Sequence, residues 1–151
     1  MTEDDLQQYL HTHIPLSAAM DVSVDTIGLD SVRLSAPLAP NINHRDSVFG
    51  GSASSVAVLA AWAFLHLKIR AAGIAATLVI RKNTMTYDKP ILGTFFADAG
   101  LQNTDDWSRF VAMLTKKGKA RIMVTSVLTY DGEPAGTLDG EFVAVTKKAG
   151  A

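Results

Sequence analysis

The stretch that decides the fold is "SASSVAVLAAWAFLHLKIRAA", residues 52–72. Its alanine, valine, leucine and aromatic side chains lie on nearly all sides of a helix drawn at 3.6 residues per turn. We therefore predict one long helix from Ser52 to about Ala72 that is almost completely buried. Gly73 follows Lys68 and Arg70, an arrangement typical of a helix C-terminus.

The segments on both sides of this helix have the composition and alternation of β-strands. Residues 20–38 predict two strands around Gly28, and residues 76–90, 94–102, 120–130 and 137–146 predict four more. Asp131-Gly132 lies between the last two and indicates a hairpin, whose turn type is left open by the Glu133-Pro134 that follows.

Two shorter helices are also predicted. Residues 2–13 carry a cap at Thr2 and an acidic residue at Asp5, followed by apolar residues on one face, and Pro15 ends the helix. The second begins near Asp105 or Asp106, either of which can cap it, and ends before Gly118.

One apolar helix between antiparallel strands predicts a sheet curled around that helix. This is an α+β chain with the hotdog fold, in a single domain over residues 1–151. Five or six strands leave open sheet edges, so we expect a homodimer joined through the strand from Ile80 to Tyr87. Whether dimers pair further into tetramers is left open.

Composition excludes several classes of function. The formal net charge is -1, which gives no general reason to expect nucleic acid, and the absence of cysteine excludes disulfides and thiolate catalysis. We expect no cofactor and no metal site. The acidic N-terminus does not resemble a signal peptide, and the apolar run from Ala53 to Leu65 is short for a membrane span. We expect a cytoplasmic protein that does not enter membranes.

The segment "APLAPNINHRDSVFGGSASS", residues 36–55, places an unusually polar loop directly before the apolar helix. Such a loop can deliver hydrogen-bond donors to a ligand at the N-terminus of the helix, where backbone N–H groups favour anions. Candidate catalytic residues are Asn43, His44, Asp46, Gly50 and Gly51, and candidate substrate contacts are Asn41, Phe49 and Ser52. The same residues also have structural interpretations: loop hydrogen bonds for the asparagines, and helix capping for Asp46 and Ser52.

The runs "IPLSAAMDVSV", "SAPLAPNINHRDSVFGGS", "IRKNTMTYDKPI" and "GKARIMVTSVLTYDGEPAGTLDGEFVAV" closely resemble the YiiD C-terminal thioesterase family of hotdog domains. The segments "PLAPNIN" and "FGGS" are specific to it. The resemblance implies a bacterial protein of the stand-alone form, without the N-acetyltransferase domain of some members. It also implies decarboxylation of malonyl thioesters on acyl carrier protein in fatty-acid initiation, with Asn43 at the position of the catalytic asparagine.

The residues themselves favour the same reaction over hydrolysis. A hotdog thioesterase usually needs an acid near the start of the central helix to activate water, and residues 52–65 contain no Asp or Glu. Decarboxylation needs only donors aimed at the developing enolate, which an asparagine amide and backbone N–H groups supply.

Two alternatives remain at this point. His44, Asp46 or an acid of a second subunit would make the protein an acyl thioesterase, and without catalysis it would be an acyl-thioester binding module. Arg81 and Lys82 are candidate contacts for the phosphates of coenzyme A or for an acidic carrier protein.

Overall fold

The computed structural model describes residues 1–147. Its helices are α1 (Glu3–His13), α2 (Pro15–Ala19), α3 (Gly50–Ala71) and α4 (Asp106–Lys117), and its strands are β1 (Ser23–Ile27), β2 (Val32–Ala36), β3 (Ala76–Tyr87), β4 (Phe95–Leu101), β5 (Lys119–Tyr130) and β6 (Glu133–Thr146). The strands form one antiparallel sheet in the order β1-β2-β4-β5-β6-β3. Helix α3 packs against five of them, from β2 to β6. The α+β prediction is therefore confirmed.

Helix α3 begins earlier than the sequence predicts. Its N-cap is Phe49, so Gly50 and Gly51 are its first residues and Ser52 lies inside its first turn. The predicted Ser52 cap is wrong, because the chain already turns into the helix where the Phe49 N–H bonds to the Asn41 carbonyl at 2.7 Å.

The predicted burial of α3 is largely correct, since no residue from Gly50 to Ile69 is exposed. The helix is long and apolar enough to cross a membrane, with a mean hydropathy of 1.4, but 56% of that window is buried inside the fold. Core helices of folded domains have the same properties. The core around α3 includes the fully buried side chains of Phe95, Phe142, Leu34, Leu128 and Leu138.

The N-terminal helix has the predicted capping box. The Asp5 N–H donates to Thr2 Oγ1 at 3.1 Å, and the Thr2 N–H donates to the Asp5 carboxylate at 3.0 Å. Buried Leu6 and Leu10 hold α1 on the core, and Pro15 opens α2. The predictions for α4 are met in position: Asp105 occupies its N-cap without a side-chain bond, and Gly118 ends it with a left-handed φ of 75°.

The hairpin between β5 and β6 resolves the open question about its turn. Asp131 and Gly132 have φ values of 53° and 77°, and Tyr130 pairs directly with Glu133. Two consecutive residues with positive φ define a type I′ turn, which fits the twist of the flanking strands. Strand β3 lies beside β6 at the edge of the sheet; it pairs only with β6, and only Leu78 of its residues is buried.

Candidate active site

The polar loop before α3 is a tight hairpin with its ends fixed. Ile42 forms an isolated antiparallel bridge with Val48, and inside it the Asn43 N–H donates to the Ser47 carbonyl at 2.8 Å. The Val48 N–H donates to the Ile91 carbonyl at 2.8 Å, which ties the loop to the turn before β4. Residues 43–47 therefore project from a rigid base beside the N-terminus of α3.

Asn43 is held in one orientation by the loop. Its Oδ1 accepts from the N–H groups of Arg45 at 2.8 Å and Ser47 at 3.2 Å, and also from Ser47 Oγ at 3.3 Å. Its Nδ2 donates to Ser47 Oγ at 3.0 Å, and to the Val48 carbonyl only at 3.5 Å. Because Oδ1 is fixed by backbone donors, the position of the NH₂ group is also fixed, and one of its hydrogens has only a long contact.

The N-terminus of α3 has no side-chain cap. The first N–H groups of a helix have no carbonyl partner within the helix, and the helix dipole adds a partial positive charge there. The ring of Tyr87 covers this end from β3, and its hydroxyl donates to the Gly50 carbonyl at 3.2 Å. These features make the start of α3 an electrophilic surface beside Asn43.

Gly50 and Gly51 lie in the helix and neither has a positive φ. The reason for glycine at these positions is therefore the space around them rather than the backbone conformation. A Cβ at Gly51 would lie 2.4 Å from the ring of Phe49, whereas a Cβ at Gly50 would meet Tyr87 at an ordinary 3.5 Å. The Phe49 ring therefore lies over the first turn of the helix, yet the residue is 58% exposed. Sequence reasoning found the two glycines and Phe49 but missed Tyr87, which only the β3–β6 pairing places here.

His44 and Asp46 lie at the exposed tip of the loop. Asp46 has a left-handed φ of 62°, and among residues 1–147 its carboxylate forms no hydrogen bond. The capping interpretation of Asp46 is therefore wrong, because no side chain of the described residues forms a capping hydrogen bond at the N-terminus of α3. Both residues remain within a few residues of Asn43, so the structure brings all three to one loop.

Asn41 has a structural role. It is 2% exposed, and its Nδ2 donates to the carbonyls of Met20 at 2.9 Å and Pro37 at 2.8 Å. The prediction that Asn41 contacts substrate is wrong for this reason: the amide joins the end of α2 to the loop and is closed off from solvent.

Arg81 and Lys82 lie away from this loop. Arg81 donates to Glu141 at 3.0 Å, and Lys82 is opposite Glu141 in the β3–β6 ladder. Tyr87 is the residue of β3 that lies next to the start of α3. At about 3.3 Å per residue, Lys82 is roughly 17 Å from Tyr87 along the strand. Within one subunit the structure therefore does not bring these cations to the predicted site.

The C-terminal half of α3 carries a half-buried histidine, His66, that the site does not use. The His66 ring stacks on Trp62, with centroids 4.7 Å apart, and on Tyr9 at 5.0 Å. Burial lowers its pKa below the usual 6.5, and the nearby positive charges of Arg70 and His13 lower it further. Burial disfavours the charged imidazolium, so the fold favours the neutral ring of His66. Its buried Nε2 has no hydrogen-bond partner among the described residues.

Comparisons with known proteins agree with this architecture. A family model described as "Putative thioesterase (yiiD_Cterm)" matches residues 3–146. A crystal structure of a protein of unknown function from Chlorobaculum tepidum is 28% identical with a TM-score of 0.90, over 96% of this chain and 94% of that chain.

Two further solved structures carry a thioesterase description. A "putative thioesterase" from Shewanella oneidensis is 25% identical with a TM-score of 0.84, over 95% of this chain and 96% of that one. A thioesterase from Haemophilus influenzae is 11% identical with a TM-score of 0.72, over 100% of this chain and 96% of that one. The shared architecture confirms the predicted hotdog fold.

Proposed function

The chain belongs to the YiiD C-terminal thioesterase family, whose members act on thioesters, and on that premise we propose that it decarboxylates malonyl-acyl carrier protein to acetyl-acyl carrier protein. The observation that carries the proposal is the orientation of Asn43. Its Oδ1 is held by two backbone N–H groups, so its NH₂ group is fixed before substrate arrives. Fixed donors stabilise developing charge without reorganising during the reaction.

The reaction fits a site made of neutral donors. The bond between the malonyl methylene and its carboxylate breaks, carbon dioxide leaves, and the electron pair moves onto the thioester oxygen as an enolate. The Asn43 amide and the N–H groups at the start of α3 would bind that oxygen, and the methylene carbon would then take a proton from water. No side chain has to accept a proton while the bond breaks.

The walls of the site support the same reaction. Val48 is 8% exposed and lies directly before the uncapped helix, and Phe49 and Tyr87 cover its first turn. Apolar walls favour loss of a carboxylate, because a charged group is stabilised by water more than its uncharged product is. We place the reaction in the cytoplasm, where its product would start fatty-acid synthesis.

Hydrolysis of acyl thioesters is the second candidate. It is favoured by the thioesterase description of the family and by an apolar groove along α3, which is longer than a malonyl group needs. In that reaction His44, Asp46 or an acid of the second subunit would activate water.

We further propose that the active form is a homodimer joined through β3. This strand offers an edge from Ala76 to Tyr87 in which eight of twelve residues are exposed, and long open edges favour pairing with another strand. Analytical ultracentrifugation at micromolar concentration should give twice the mass of the chain or, with further pairing, four times. A single-chain mass would contradict this proposal.

One experiment separates the candidate reactions. The purified protein is incubated with malonyl- and acyl-carrier proteins, and with the corresponding coenzyme A thioesters, and the products are identified by mass. Acetyl-carrier protein indicates decarboxylation, a free thiol indicates hydrolysis, and unchanged substrate that remains bound indicates a binding module. Only the first outcome supports the proposal, and the coenzyme A arm tells which carrier is used.

A further inference from the structure

An apolar groove runs along α3 on the side that faces the N-terminal segment and β3. Its volume is about 330 Å³, and its apolar walls include Ile14, Met20, Val58, Leu59, Ile80 and Phe142. Its polar lining on α3 is confined to one end, at Ser54 and Ser55, which lie one helical turn after Gly50 and Gly51. Asn83 on β3 is the other polar residue of the lining. The polar end of the groove on α3 is therefore one helical turn from the proposed thioester site, and the rest of its lining on α3 is apolar.

Trp62 lies at the other end of the groove. Its indole Nε1–H donates to the Leu78 carbonyl at 3.0 Å, so the ring bridges from α3 to β3. The ring also stacks on His66, one turn further along α3, at 4.7 Å, and on Tyr9 at 6.4 Å. Because one face is stacked and the nitrogen is bonded, the indole is held in one position across the space between helix and strand.

A second cavity lies beyond this ring. It has a volume of about 220 Å³ and is lined by His66, Ile69, Arg70, Ile74, Leu78 and Lys147. His66 and Leu78 are the two residues that Trp62 stacks on and bonds to. The indole and the imidazole together therefore separate two spaces that both lie between α3 and β3.

A malonyl group does not explain this groove. Its three carbons would remain near Ser54 and Ser55, and its carboxylate would gain nothing from the apolar walls. An extended hydrocarbon chain suits them. The rise from Ser54 to Trp62 is about 12 Å at 1.5 Å per residue, and an extended chain advancing roughly 1.3 Å per carbon would span it with about nine carbons.

We propose that the groove binds the hydrocarbon chain of an acyl thioester and that Trp62 is its end wall, which sets the longest chain that fits. The proposal rests on the proposed function only in placing the thioester at the N-terminus of α3. Trp62 would then be a specificity-determining residue, where the sequence alone predicts an ordinary core residue.

The test measures binding of S-alkyl-coenzyme A thioethers, from butyl to hexadecyl, by titration calorimetry. These compounds can be neither hydrolysed nor decarboxylated. For the unaltered protein we expect the affinity to rise about fourfold per methylene while the chain enters apolar surroundings, and to level off at about nine carbons.

Trp62→Ala should extend the rise by about four carbons, because it opens the groove toward the second cavity over the roughly 6 Å between Trp62 and His66. Trp107→Ala is the matched control. It removes the same ring from α4, where Trp107 packs against Phe110 and Lys68, and should leave the levelling point unchanged.

Val58→Trp is the second variant, and it decides the matter if Trp62→Ala fails to fold. It fills the groove one turn before Trp62 and should move the levelling point to chains about four or five carbons shorter. Two results would overturn the proposal. The first is an affinity of the unaltered protein that does not depend on chain length, which would be seen if side chains of a second copy filled the groove. The second is a levelling point that stays the same in every variant that folds.

The result is independent of the reaction. If the protein binds longer chains up to the Trp62 limit but does not decarboxylate malonyl-carrier protein, the proposed function fails and the groove stands. If decarboxylation is observed and binding ignores chain length, only the groove assignment fails.

Discussion

The two ends of α3 differ in how they are capped. At its N-terminus no side chain caps the helix, two glycines begin the first turn, and the neighbouring residues Phe49 and Tyr87 are more than half exposed. At its C-terminus Lys68 lies 4.7 Å above the Trp107 ring and 3.8 Å from the carboxylate of Asp30. Gly73 then ends the helix in the left-handed conformation, at a φ of 74°.

This difference separates function from stability within one helix. Cations at the C-terminus compensate the dipole there, whereas the donors at the N-terminus are left for something outside the helix. Helix α1 of the same protein is capped by a reciprocal pair of hydrogen bonds between Thr2 and Asp5, so the missing cap of α3 is not a general feature of its helices. We infer that the open end of α3 is kept open for substrate. The predictions below alter one of the two ends or the loop beside the open end, and Thr2→Ala at α1 serves as a control.

Gly51→Val should have the largest effect. Its Cβ would lie 2.4 Å from the Phe49 ring, so the ring has to move and the valine covers the amides of the first turn. We expect turnover to fall by at least about 10³-fold, as for complete loss of an oxyanion donor. The melting temperature should change little, because valine is no worse than glycine in a helix.

Gly50→Ala is the control for this change, since its Cβ meets Tyr87 at an ordinary 3.5 Å. It should retain most of the activity. If Gly51→Val also keeps near-normal turnover, the glycine serves only the turn into the helix.

Asn43→Ala should lower turnover by about 10²-fold to 10³-fold, the usual effect of removing one oxyanion donor, while KM changes much less. Asn43→Asp should be no better, because it places negative charge where negative charge develops. His44→Ala and Asp46→Ala should cost appreciably less. The measurement is steady-state decarboxylation of malonyl-carrier protein by each variant.

Ser47→Ala is the control for loop integrity. It removes the Ser47 hydroxyl that bonds to both ends of the Asn43 amide but leaves the amide itself. Equal losses in Ser47→Ala and Asn43→Ala would indicate that the loop has collapsed. If Asn43→Ala is active and Asp46→Ala is dead, the decarboxylase proposal is wrong.

Phe49→Ser tests whether the open end has a cost in stability. A serine at the N-cap can accept from the first-turn amides, which typically stabilises a helix by about 1 kcal/mol. The same bond competes with substrate, so activity should fall by up to about tenfold, the value of one ordinary hydrogen bond. Urea unfolding and turnover are measured on the same preparation.

Thr2→Ala is the matched change at α1, where the cap is present. It should destabilise the protein by about 1 kcal/mol and leave turnover unchanged. If Phe49→Ser lowers both stability and activity, the absence of a cap on α3 does not exchange stability for activity.

The smallest effect is expected at the closed end, from His66. Its pKa is lowered in the fold by burial, so the folded state favours the neutral ring. The stability that depends on the neutral ring is fully present above about pH 6.5 and is lost as pH falls through the lowered pKa. His66→Phe keeps a ring in the stack and should melt with a weaker dependence on pH between 7 and 5. An unchanged dependence would contradict the assignment.

Much of the fold follows from local sequence signals. Thr2 and Asp5 predict the capping box of α1, and Asp131-Gly132 predicts the hairpin, because both features depend only on residues near one another in the chain. The start of α3 was misplaced for the opposite reason. It depends on the bond from the Phe49 N–H to the Asn41 carbonyl, a contact that no local propensity encodes.

The site is less predictable than the fold. Asn41 and Asn43 are the same type of residue in the same loop, yet their side chains have different surroundings. Asn41 is buried against the carbonyls of Met20 and Pro37, whereas the amide of Asn43 is oriented by the loop beside α3. Which of them faces the site depends on where α2 ends. The contacts of Tyr87 with Gly50 and of Trp62 with Leu78 could not be predicted, because they depend on where the pairing with β6 places β3.

The position of β3 also has a consequence for how the chain reaches its native state. Strand β3 precedes β4 in the chain, yet Ala76 pairs with Thr146 at the far edge of the sheet. The β5–β6 hairpin closes over a two-residue turn, whereas β3 has to wait for the last strand, and contacts across long stretches of chain form slowly. During synthesis the apolar flank of α3 beside β3 therefore stays uncovered until the C-terminal strand is complete. We expect nascent chains that end before β6 is complete to depend on chaperones for solubility.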